Sequence, residues 1–368
     1  MTSKTKILQV IGSLETGGAE KVVMDFGRYL DKSRFQCDYL VFGDNVGDNE
    51  NEAISLGSNV IRIPKPKDNY IKYFNNLKKV LKDGKYNVVH SHQFLNNGLV
   101  LKAAYDVNIK KRISHSHSTS SGRKEDIKYK LYSHCMRKII RKYATHFISC
   151  GLDAGDFLYG EKLFKDKGIV INNGVDSKSY GYNIETRNKL RLQLGIDKKL
   201  VMGHVGRLAP VKNHDFLVDI FYEVNKLKPD SVLLIVGEGE LRSTIENKIR
   251  SLGLKDKVIF TGLRSDVSDI LQAMDVFVFP SLYEGLPLTL IEAQASGIQC
   301  LVSTNVTTQS KVTDLISFIS LEKSKEEWAK KVVENSMYYR TDWSEEINKK
   351  GFDVYTTIKE LESIYTTI

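Results

Sequence analysis

The sequence predicts an α/β protein of two doubly wound, Rossmann-like domains whose sheets are mostly parallel. Its 368 residues are enough for two domains that each bury a core. Short apolar runs of β type alternate with amphipathic stretches from the first residues onward, and a second series of the same kind begins after NNGVDSKSYGYN. Such alternation is typical of a parallel sheet with helices on both faces.

The first series predicts an N-terminal domain over residues 1–175. Its apolar runs, rich in β-branched and aromatic residues, are predicted strands: KILQVIG, FQCDYLVFG, NVIRIP, YNVVHSH, KRISHSH, HFISC and GIVINNGV. Between them, apolar residues recur with the helical period in GAEKVVMDFGRYL, YIKYFNNLKKVLKDG, NGLVLKAAYDV and DIKYKLYSHCMRKIIRKYA.

The second series predicts a C-terminal domain over residues 176–345. Its predicted strands are KLVMGHVGRL, SVLLIVGEG, KVIFTGL, DVFVFPS and QCLVS, and its predicted helices are DFLVDIFYEVNKL, LRSTIENKIRSLG, VSDILQAM and PLTLIEAQASG. A helical segment, 346–368, follows, and we expect it to pack back on the N-terminal domain. Ligands of open α/β sheets bind at the carboxyl ends of the strands, so we expect the active site in a cleft where the two sheets face one another.

Composition excludes several classes of protein. Hydrophobic residues make up 41% of the chain and charged residues 27%, which is typical of a globular rather than a disordered protein. No apolar run approaches the roughly 20 residues that span a bilayer. The four cysteines form no CxxC pair, so we expect a cytoplasmic protein with reduced thiols.

Positive charge is concentrated in the first half of the chain. The net charge is +9, and residues 1–168 alone hold 29 Lys+Arg against 18 Asp+Glu. The basic region, residues 109–142, carries eleven basic residues against Glu125 and Asp126. One interpretation is a solvated helix face; the other is a surface, peripheral at the inner face of the plasma membrane, that binds anionic lipid head groups or a polyanionic ligand. Nucleic acid is not expected, because interleaved aromatic residues and a known module are lacking.

The stretch EGLPLTLIE places Glu284 and Glu292 on either side of an apolar run that has only one other polar side chain. Pro287 suits the first turn of a helix that Gly297 closes. Glu284 then lies on the strand-to-helix loop and Glu292 within the opening turns, so both carboxylates can reach one ligand, and the helix start can bind a phosphate. The alternative is a local ion pair at Glu284 and a surface helix residue at Glu292.

Two cations follow another predicted strand of the same domain. Arg207 and Lys212 lie five residues apart in GHVGRLAPVKNHD, where both emerge at the end of the sheet. Fixed cations beside a helix start can neutralise a diphosphate leaving group without a metal. The sequence has no Asp-x-Asp pair that would clasp a divalent cation, which favours metal-independent chemistry.

The N-terminal domain offers two weaker signals. Gly17 and Gly18 precede its first helix, where adjacent glycines allow a close approach of backbone to phosphate or sugar. The pairs His90-Ser91-His92 and His115-Ser116-His117 each end a predicted strand, and a spacing of two puts both members on one face. A metal site is conceivable, but no carboxylate or cysteine accompanies the histidines. We favour one histidine of the second pair facing the cleft while the other packs or caps.

Together these motifs resemble a known family. The set GGAEKV, HSHS, NNGVD, GRLAPVKN, VGEGELR, TGLRSDV and PSLYEGLPLTLIEAQASG is similar to the retaining family-4 glycosyltransferases (glycosyl transferases group 1) of the GT-B fold. The ordered match covers nearly the whole chain. The two glutamates separated by seven residues are the most specific element of the resemblance.

The resemblance implies a role for each candidate residue. Glu284 would face the donor sugar, and Glu292 would bind the ribose of the nucleotide. Arg207 and Lys212 would hold the diphosphate, with His117 near the transferred sugar and His115 as its rival. The other donor-binding positions that it implies are the loop glycines Gly17 and Gly18, the base-contacting Leu263 and Arg264, and the helix start Leu286, Pro287, Leu288 and Thr289.

The function that this resemblance implies is retaining, metal-independent sugar transfer. The donor would be a nucleoside diphosphate sugar, a UDP-sugar in the first instance, and no cofactor or metal is expected. The acceptor would be a glycan or a polyprenyl-diphosphate-linked glycan in capsule or exopolysaccharide synthesis. Two alternatives stay open at this point: a nucleotide-sugar epimerase of the same shape, and a non-catalytic partner subunit that resembles a glycosyltransferase.

Overall fold

The computed structural model describes residues 4–66, 69–118 and 126–367, and it divides the chain into two compact α/β units. The N-terminal unit comprises Met1–Gly174 together with Val354–Ile368, and the C-terminal unit comprises Val175–Asp353. Residues 346–353, which the sequence analysis grouped with the terminal helix, therefore belong to the C-terminal unit. The amide of Val175 donates a hydrogen bond of 2.8 Å to the carbonyl of Phe352, which attaches this segment there.

The N-terminal unit contains a seven-stranded parallel sheet in the order β3-β2-β1-β4-β5-β6-β7. Its strands are β1 Thr5–Val10, β2 Phe35–Phe42, β3 Val60–Ile63, β4 Val88–Ser91, β5 Lys111–Ser116, β6 His146–Ser149 and β7 Gly168–Val170. The intervening helices are α1 Gly18–Tyr29, α2 Glu50–Ser55, α3 Tyr70–Gly84, α4 Asn97–Asp106, α5 Ile127–Tyr143, α6 Leu152–Tyr159 and α7 Glu161–Lys167. All seven strands and the four longest helices agree with the sequence prediction.

The C-terminal unit contains a six-stranded parallel sheet in the order β10-β9-β8-β11-β12-β13. Its strands are β8 Leu200–Val205, β9 Ser231–Val236, β10 Val258–Phe260, β11 Val276–Phe279, β12 Gln299–Ser303 and β13 Ile316–Ile319. Its helices are α8 Ser177–Tyr180, α9 Ile184–Gln193, α10 His214–Leu227, α11 Arg242–Ser251, α12 Val267–Ala273, α13 Leu288–Ala295, α14 Lys325–Asn335 and α15 Ser344–Lys349. The sequence analysis missed β13 and the short or polar helices α2, α6, α7, α8 and α9.

Strand order reverses beside the first strand of each sheet. In the N-terminal unit β1 lies between β2 and β4, and in the C-terminal unit β8 lies between β9 and β11. Loops after such neighbouring strands leave in opposite directions and open a crevice at the carboxyl edge of the sheet. Each unit therefore has one preferred place for a ligand.

The terminal helix α16, Val354–Thr366, packs on the N-terminal unit. The side chain of Tyr365 is only 3% exposed, and the amine of Lys111 on β5 donates to the carbonyl of Ile364 at 2.5 Å. Glu362 accepts from the backbone amide of Asp31 at 2.9 Å. These contacts bring the last turn of the chain beneath the central strands of the first sheet.

Glycine is required where two strand-end loops of the C-terminal unit cross. Gly237 follows β9 with φ +131°, and a Cβ there would lie 2.2 Å from the carbonyl oxygen of Gly206. The amide of Gly237 also donates to the carbonyl of Gly262 at 2.9 Å. This glycine thus joins the loops that follow β8, β9 and β10.

We expect Gly237→Ala to lower the free energy of unfolding by about 3 kcal/mol, because it combines an unfavourable φ with a clash against backbone. Gly253→Ala is the matched control: its φ is also positive, +70°, but no atom lies within 4 Å of the added Cβ, so a loss of about 1 kcal/mol is expected. Urea unfolding followed by circular dichroism measures both. Equal losses for the two variants would contradict the crossing at Gly237.

Candidate functional site

The C-terminal unit brings Lys212 and Glu284 together at its crevice. Lys212 ends a single 3-10 turn, Pro210–Lys212, after β8, and Glu284 lies on the loop after β11. The Nζ atom of Lys212 is 2.6 Å from Oε1 of Glu284, and the two side chains are 15% and 19% exposed. That oxygen receives no directed hydrogen bond, so the contact is an electrostatic pair. Two of the charged residues predicted to bind the donor are therefore adjacent in the structure.

Several polar atoms around this pair are buried without a partner among the described residues. They include Oγ of Ser281, Oγ1 of Thr289 and Nε2 of His204. A Cβ on Gly206 would lie 3.2 Å from both Nε2 of His204 and Cε of Lys212, which shows how closely these groups surround the loop. Buried polar atoms normally have a partner, so this set fits a polar ligand.

Helix α13 carries the second glutamate. Pro287 occupies its N-cap, one position before the first helical residue Leu288, rather than the first turn itself as the sequence suggested. Glu292 lies on the second turn and is only 2% exposed. The alternative of a surface helix residue is therefore wrong. Gly297 follows the helix with φ +69°, as a C-terminal glycine should.

Other predicted donor residues do not join the Lys212–Glu284 pair in this structure. The side chain of Arg207 is 69% exposed and lies 3.6 Å from Glu240. Arg264 forms an ion pair with Asp266 at 2.5 Å, and the neighbouring Leu263 is 52% exposed. These side chains lie at the surface of the C-terminal unit.

In the N-terminal unit, the predicted glycine turn begins helix α1. Gly17 is the N-cap residue in extended conformation, with φ −160°. No atom lies within 4 Å of where a Cβ on Gly18 would stand. In the same turn, burial raises the pKa of Glu20 above its usual range. The start of α1 is therefore open at Gly18, as the prediction of a backbone approach requires.

The two His-Ser-His pairs form one histidine cluster: His90, His92, His115 and His117. Nε2 of His90 lies 3.1 Å from Nδ1 of His115, and Nδ1 of His92 lies 2.8 Å from Nε2 of His117. Nε2 of His115 and Nδ1 of His117 are buried with no partner in the described part of the chain. Both members of the second pair thus present a free nitrogen, so the geometry does not choose between them.

The histidine cluster is uncharged at neutral pH. Burial is the largest cause that lowers the pKa of each ring, with neighbouring histidines adding to it. The pKa of His117 falls to about 4 for the same reason of burial. Neutral imidazoles can donate at one nitrogen and accept at the other.

Three histidine side chains of this cluster are of a type, and lie close enough together, to bind a metal ion. Ligand atoms of His90, His92 and His115 all lie within 4.8 Å of one another. However, both nitrogens of His90 and both of His92 already have hydrogen-bond partners. A cation would have to displace those partners, so the arrangement fits a hydrogen-bonded network better than a vacant coordination site.

Two polar residues that contact the histidine cluster, Gln9 and Tyr365, were not predicted from the sequence. Gln9 is fully buried and is the one polar side chain in the stretch ILQVIG, a signal that was available. Tyr365 accepts or donates at His90 through a 2.7 Å contact, and its place in the terminal helix gave no such signal.

The basic region divides into structural and exposed residues. Arg123 and Lys124 lie outside the described residues. Arg112 donates to the carbonyl of Tyr143 at 2.7 Å, and Arg141 donates to that of Tyr159 at 2.7 Å. The guanidinium of Arg137 lies over the ring of Phe157, 5.3 Å from its centroid. Lys110, Lys128, Lys130, Lys138 and Lys142 are exposed. Part of the basic region therefore stabilises the fold.

One exposed stripe follows the outer face of α5. It carries Ile127 and Leu131, which are 86% and 65% exposed, and continues with exposed Cys135, Lys138 and Lys142 at helical spacing. Another exposed residue, Ile71, is 77% exposed at the start of α3. None of the helices in the described ranges is long and apolar enough to cross a bilayer.

Two family models match the chain. The model described as glycosyl transferases group 1 matches residues 186–345. The model described as Glycosyltransferase Family 4 matches residues 16–179. Each model thus falls largely within one of the two units.

Three relatives are glycosyltransferases by name. The sequence is 30% identical to the putative glycosyltransferase EpsF of Bacillus subtilis over 372 residues, 99% of this chain and 97% of that protein. It is 26% identical to the capsular polysaccharide biosynthesis glycosyltransferase CapH of Staphylococcus aureus over 371 residues, 98% of each. A match of 33% over 241 residues, 63% of this chain and 62% of the other, is to the UDP-Gal:alpha-D-GlcNAc-diphosphoundecaprenol alpha-1,3-galactosyltransferase of Escherichia coli.

A solved structure shares the fold. Anabaena Alr3699/HepE in complex with UDP aligns with a TM-score of 0.80 at 19% identity, covering 100% of both chains. Similarity at this level of identity concerns the fold alone. It confirms the fold class that the alternation of strands and helices predicted.

The neutral histidine cluster should make stability depend on pH. In the unfolded chain histidine binds a proton below about pH 6.5, whereas the folded cluster stays neutral down to lower pH, to about 4 at His117. The free energy of unfolding should therefore fall as pH decreases from 7 to 5, by up to about 1.4 kcal/mol per pH unit for each histidine.

Urea midpoints at several pH values between 7 and 5 measure this dependence. The variant with His115→Gln and His117→Gln removes two of the seven histidines whose pKa burial lowers, so its slope with pH should be smaller than that of the native chain. A midpoint that stays constant over this range would contradict the burial of neutral rings.

Proposed function

This chain belongs to the glycosyltransferases of group 1 and family 4, and on that premise we propose that it moves a sugar from a UDP-sugar to a lipid-linked glycan with retention of configuration and without a metal. One observation carries the proposal: Lys212 and Glu284 form a 2.6 Å pair at the strand-order reversal of the C-terminal sheet. The hydroxyls of Ser281 and Thr289, on the same loop and helix start, have no hydrogen-bond partner among the residues that the structure describes. A sugar diphosphate supplies partners for all four groups.

The cation and the helix would stabilise the leaving group. The amine of Lys212 would exchange Glu284 for the diphosphate, since a charge-assisted contact to phosphate is strong. The first turn of α13 would add backbone amides and its partial positive charge. Arg207, which is 69% exposed, is able to swing from Glu240 to the same phosphates. Fixed positive groups aimed at the charge that develops in the transition state are the largest usual source of acceleration.

Transfer would then proceed on one face of the sugar. The bond from the anomeric carbon to the diphosphate breaks, the acceptor oxygen bonds to that carbon on the same face, and the departing diphosphate takes the acceptor's proton. Glu284, once released from Lys212, would orient the donor sugar, and His117 would contact a sugar hydroxyl. Glu292, buried on α13, would bind the ribose. This arrangement differs from a glycosidase pair, whose two carboxyl groups act on the same glycosidic bond.

The relatives support the choice of donor and acceptor. The Escherichia coli relative uses UDP-Gal and a diphosphoundecaprenol-linked acceptor by its name, and the Anabaena structure holds UDP. CapH is named for capsular polysaccharide biosynthesis. We therefore place this chain in capsule or exopolysaccharide assembly, with a polyprenyl-diphosphate-linked glycan as acceptor.

These comparisons favour transfer over the two alternatives. Both family models and all three relatives are described as glycosyltransferases, which gives no support to a nucleotide-sugar epimerase. The chain also keeps Arg207, Lys212, Glu284 and Glu292, whereas a non-catalytic partner subunit has no need of all four charges.

The exposed stripe of α5 supports docking on an anionic membrane. Ile127 and Leu131 precede Lys138 and Lys142 on one face, so apolar insertion and attraction to lipid head groups can act together. Helices α3 and α5 both begin at the carboxyl edge of the first sheet, where Ile71 is also exposed. A lipid-linked acceptor reaches such an edge without leaving the bilayer surface.

Loss of Glu284 should abolish most of the transfer. We expect Glu284→Ala to reduce kcat at least about 100-fold, with its melting temperature within a few degrees of the native value because the pair is partly exposed. Radiolabelled UDP-glucose or UDP-galactose with a polyprenyl-diphosphate-linked acceptor measures the rate, and NMR of the product reports its anomeric configuration. Glu334→Ala, which breaks only the exposed Lys331 pair on α14, is the control. An unchanged rate in Glu284→Ala, or inversion at the anomeric carbon, would contradict the proposed mechanism.

Turnover should not require a divalent cation. Lys212, Arg207 and the start of α13 are proposed to neutralise the diphosphate, so the rate should stay within about twofold in EDTA. Lys212→Met should lower kcat by about 100-fold in the same assay, because the fixed cation is lost. Turnover that EDTA abolishes and manganese restores would overturn metal-independent transfer.

The α5 stripe should set the affinity for vesicles. The variant Leu131→Ser, Lys138→Glu, Lys142→Glu is expected to lose at least about tenfold in binding to phosphatidylglycerol-containing vesicles, since each basic residue near the surface contributes about 1 kcal/mol. Lys331→Glu, Lys349→Glu makes the same change of charge on exposed helices of the C-terminal unit and should bind normally. If binding of the native chain to vesicles did not depend on salt concentration or on anionic lipid, the α5 stripe would not be the docking surface.

A further inference from the structure

Two hydrogen-bonded relays start from a single buried amide, that of Gln9 on β1. Nε2 of Gln9 lies 3.2 Å from the hydroxyl of Tyr365, which lies 2.7 Å from Nδ1 of His90. His90 then contacts His115 at 3.1 Å. Gln9 lies directly opposite His90 in the sheet register, so the first relay crosses from β1 through β4 to β5.

The second relay starts from the oxygen atom of the same amide. Oε1 of Gln9 lies 2.9 Å from Nε2 of His92, and Nδ1 of His92 lies 2.8 Å from Nε2 of His117. Each relay thus passes through one histidine of the first His-Ser-His pair and ends on one histidine of the second pair.

The roles along the first relay follow from the amide. Its N–H donates to the oxygen of Tyr365, so the hydroxyl proton is free to donate to Nδ1 of His90. His90 then carries its proton on Nε2 and donates to Nδ1 of His115. The proton of His115 is left on Nε2, the nitrogen that is buried without a partner among the described residues. The first relay therefore ends in a donor.

By the same reasoning, the second relay ends in a hydrogen-bond acceptor instead of a donor. Oε1 of Gln9 can only accept, so His92 carries its proton on Nε2 and accepts at Nδ1. His117 must donate from Nε2 to that nitrogen. Its Nδ1, which also has no partner in the part of the chain that the structure describes, is left with a lone pair, and the second relay ends in an acceptor.

This complementarity does not depend on which way the amide is turned. If the nitrogen and oxygen of Gln9 exchanged places, every donor in both relays would become an acceptor. His115 would then accept and His117 would donate. Because one amide has one donating and one accepting end, the two free nitrogens must always differ.

The surroundings hold the rings in these roles. The ring of Phe26 is stacked on His90 at 5.8 Å and on His115 at 6.3 Å, and the rings of His115 and His117 are stacked at 4.2 Å. Neutral rings keep one proton each, and burial lowers the pKa of all four well away from neutral pH. The free nitrogens of His115 and His117 therefore stand on adjacent parallel rings.

We propose that Gln9 and Tyr365 are positioning residues that fix the proton positions of His115 and His117, so that the two rings form a donor and acceptor pair for hydroxyl groups of a sugar. A sugar hydroxyl both donates and accepts, and two neighbouring hydroxyls match an N–H beside a lone pair. The identity of the ligand rests on the proposed function; the relay itself does not. Through Tyr365, the terminal helix α16 takes part in the sugar site.

Nitrogen-15 NMR of histidine-labelled protein tests the relay without any substrate. Native protein at pH 7.5 should show His90, His92, His115 and His117 all with the proton on Nε2. Tyr365→Phe keeps the buried ring but removes the hydroxyl, so His90 and His115 should shift to a mixture of both proton positions. His92 and His117, which Gln9 still holds, should not shift. The change at His115 would be transmitted through His90, which lies between Tyr365 and His115 in the relay. Tyr355→Phe, which changes a tyrosine on the same helix that meets the ring of Tyr29 edge to face, should leave all four unchanged.

Two results would overturn the relay. One is a His115 signal that Tyr365→Phe leaves unchanged. The other is a concerted shift of the native cluster on addition of zinc at stoichiometric concentration, which would identify a metal site instead.

Substrate readouts separate the relay from the proposed function. With UDP-glucose or UDP-galactose, but not with UDP alone, the free nitrogens of His115 and His117 should shift. Tyr365→Phe should lower kcat about tenfold with KM for the donor within about twofold, whereas Tyr355→Phe should match the native rate. If neither sugar nucleotide perturbs the rings while the NMR pattern holds, the sugar-binding part of the proposal is overturned and the relay stands. Loss of transfer in every variant and in the native chain would refute the proposed function alone.

Discussion

The reversal of strand order beside the first strand of each sheet is the constraint on which both sites depend. In the N-terminal unit it sets β1 against β4, which brings Gln9 opposite His90. In the C-terminal unit it sets β8 against β11, so the loops that carry Lys212 and Glu284 begin at neighbouring strand ends. Neither pair is close in sequence. Parallel pairing alone, through its register and its reversal, makes chemical neighbours of these residues.

The two sites differ in how they use burial. At Lys212 and Glu284, opposite charges compensate one another at partial exposure, so the pair can separate when a better partner arrives. In the histidine cluster, burial keeps the rings uncharged, so they can interact with a ligand only by donating or accepting hydrogen bonds. One site can therefore recognise an anion, and the other can recognise uncharged hydroxyl groups. A sugar nucleotide contains both kinds of group.

Much of the fold followed from the sequence because alternating apolar runs report burial directly. All seven strands of the first sheet and five of six in the second were predicted; β13 and helices such as α9 were missed because they are short or largely polar. The motif with Glu284 and Glu292 predicted a site after the strand that is now β11, and the structure places Lys212 beside Glu284 there; the roles of these residues remain predictions. Proton direction in the histidine cluster was beyond the sequence, because Tyr365 lies 275 residues from His90 and only the folded sheet joins them.

The ion pair at Lys212 also has a kinetic meaning. Glu284 neutralises this amine, and Glu240 stands beside Arg207, so each of these two cations has an opposite charge beside it. Long-range attraction of an anionic donor is correspondingly weak. The association rate of the donor should thus depend only slightly on ionic strength. Selectivity between donors would arise after the first encounter, when Lys212 exchanges Glu284 for the diphosphate.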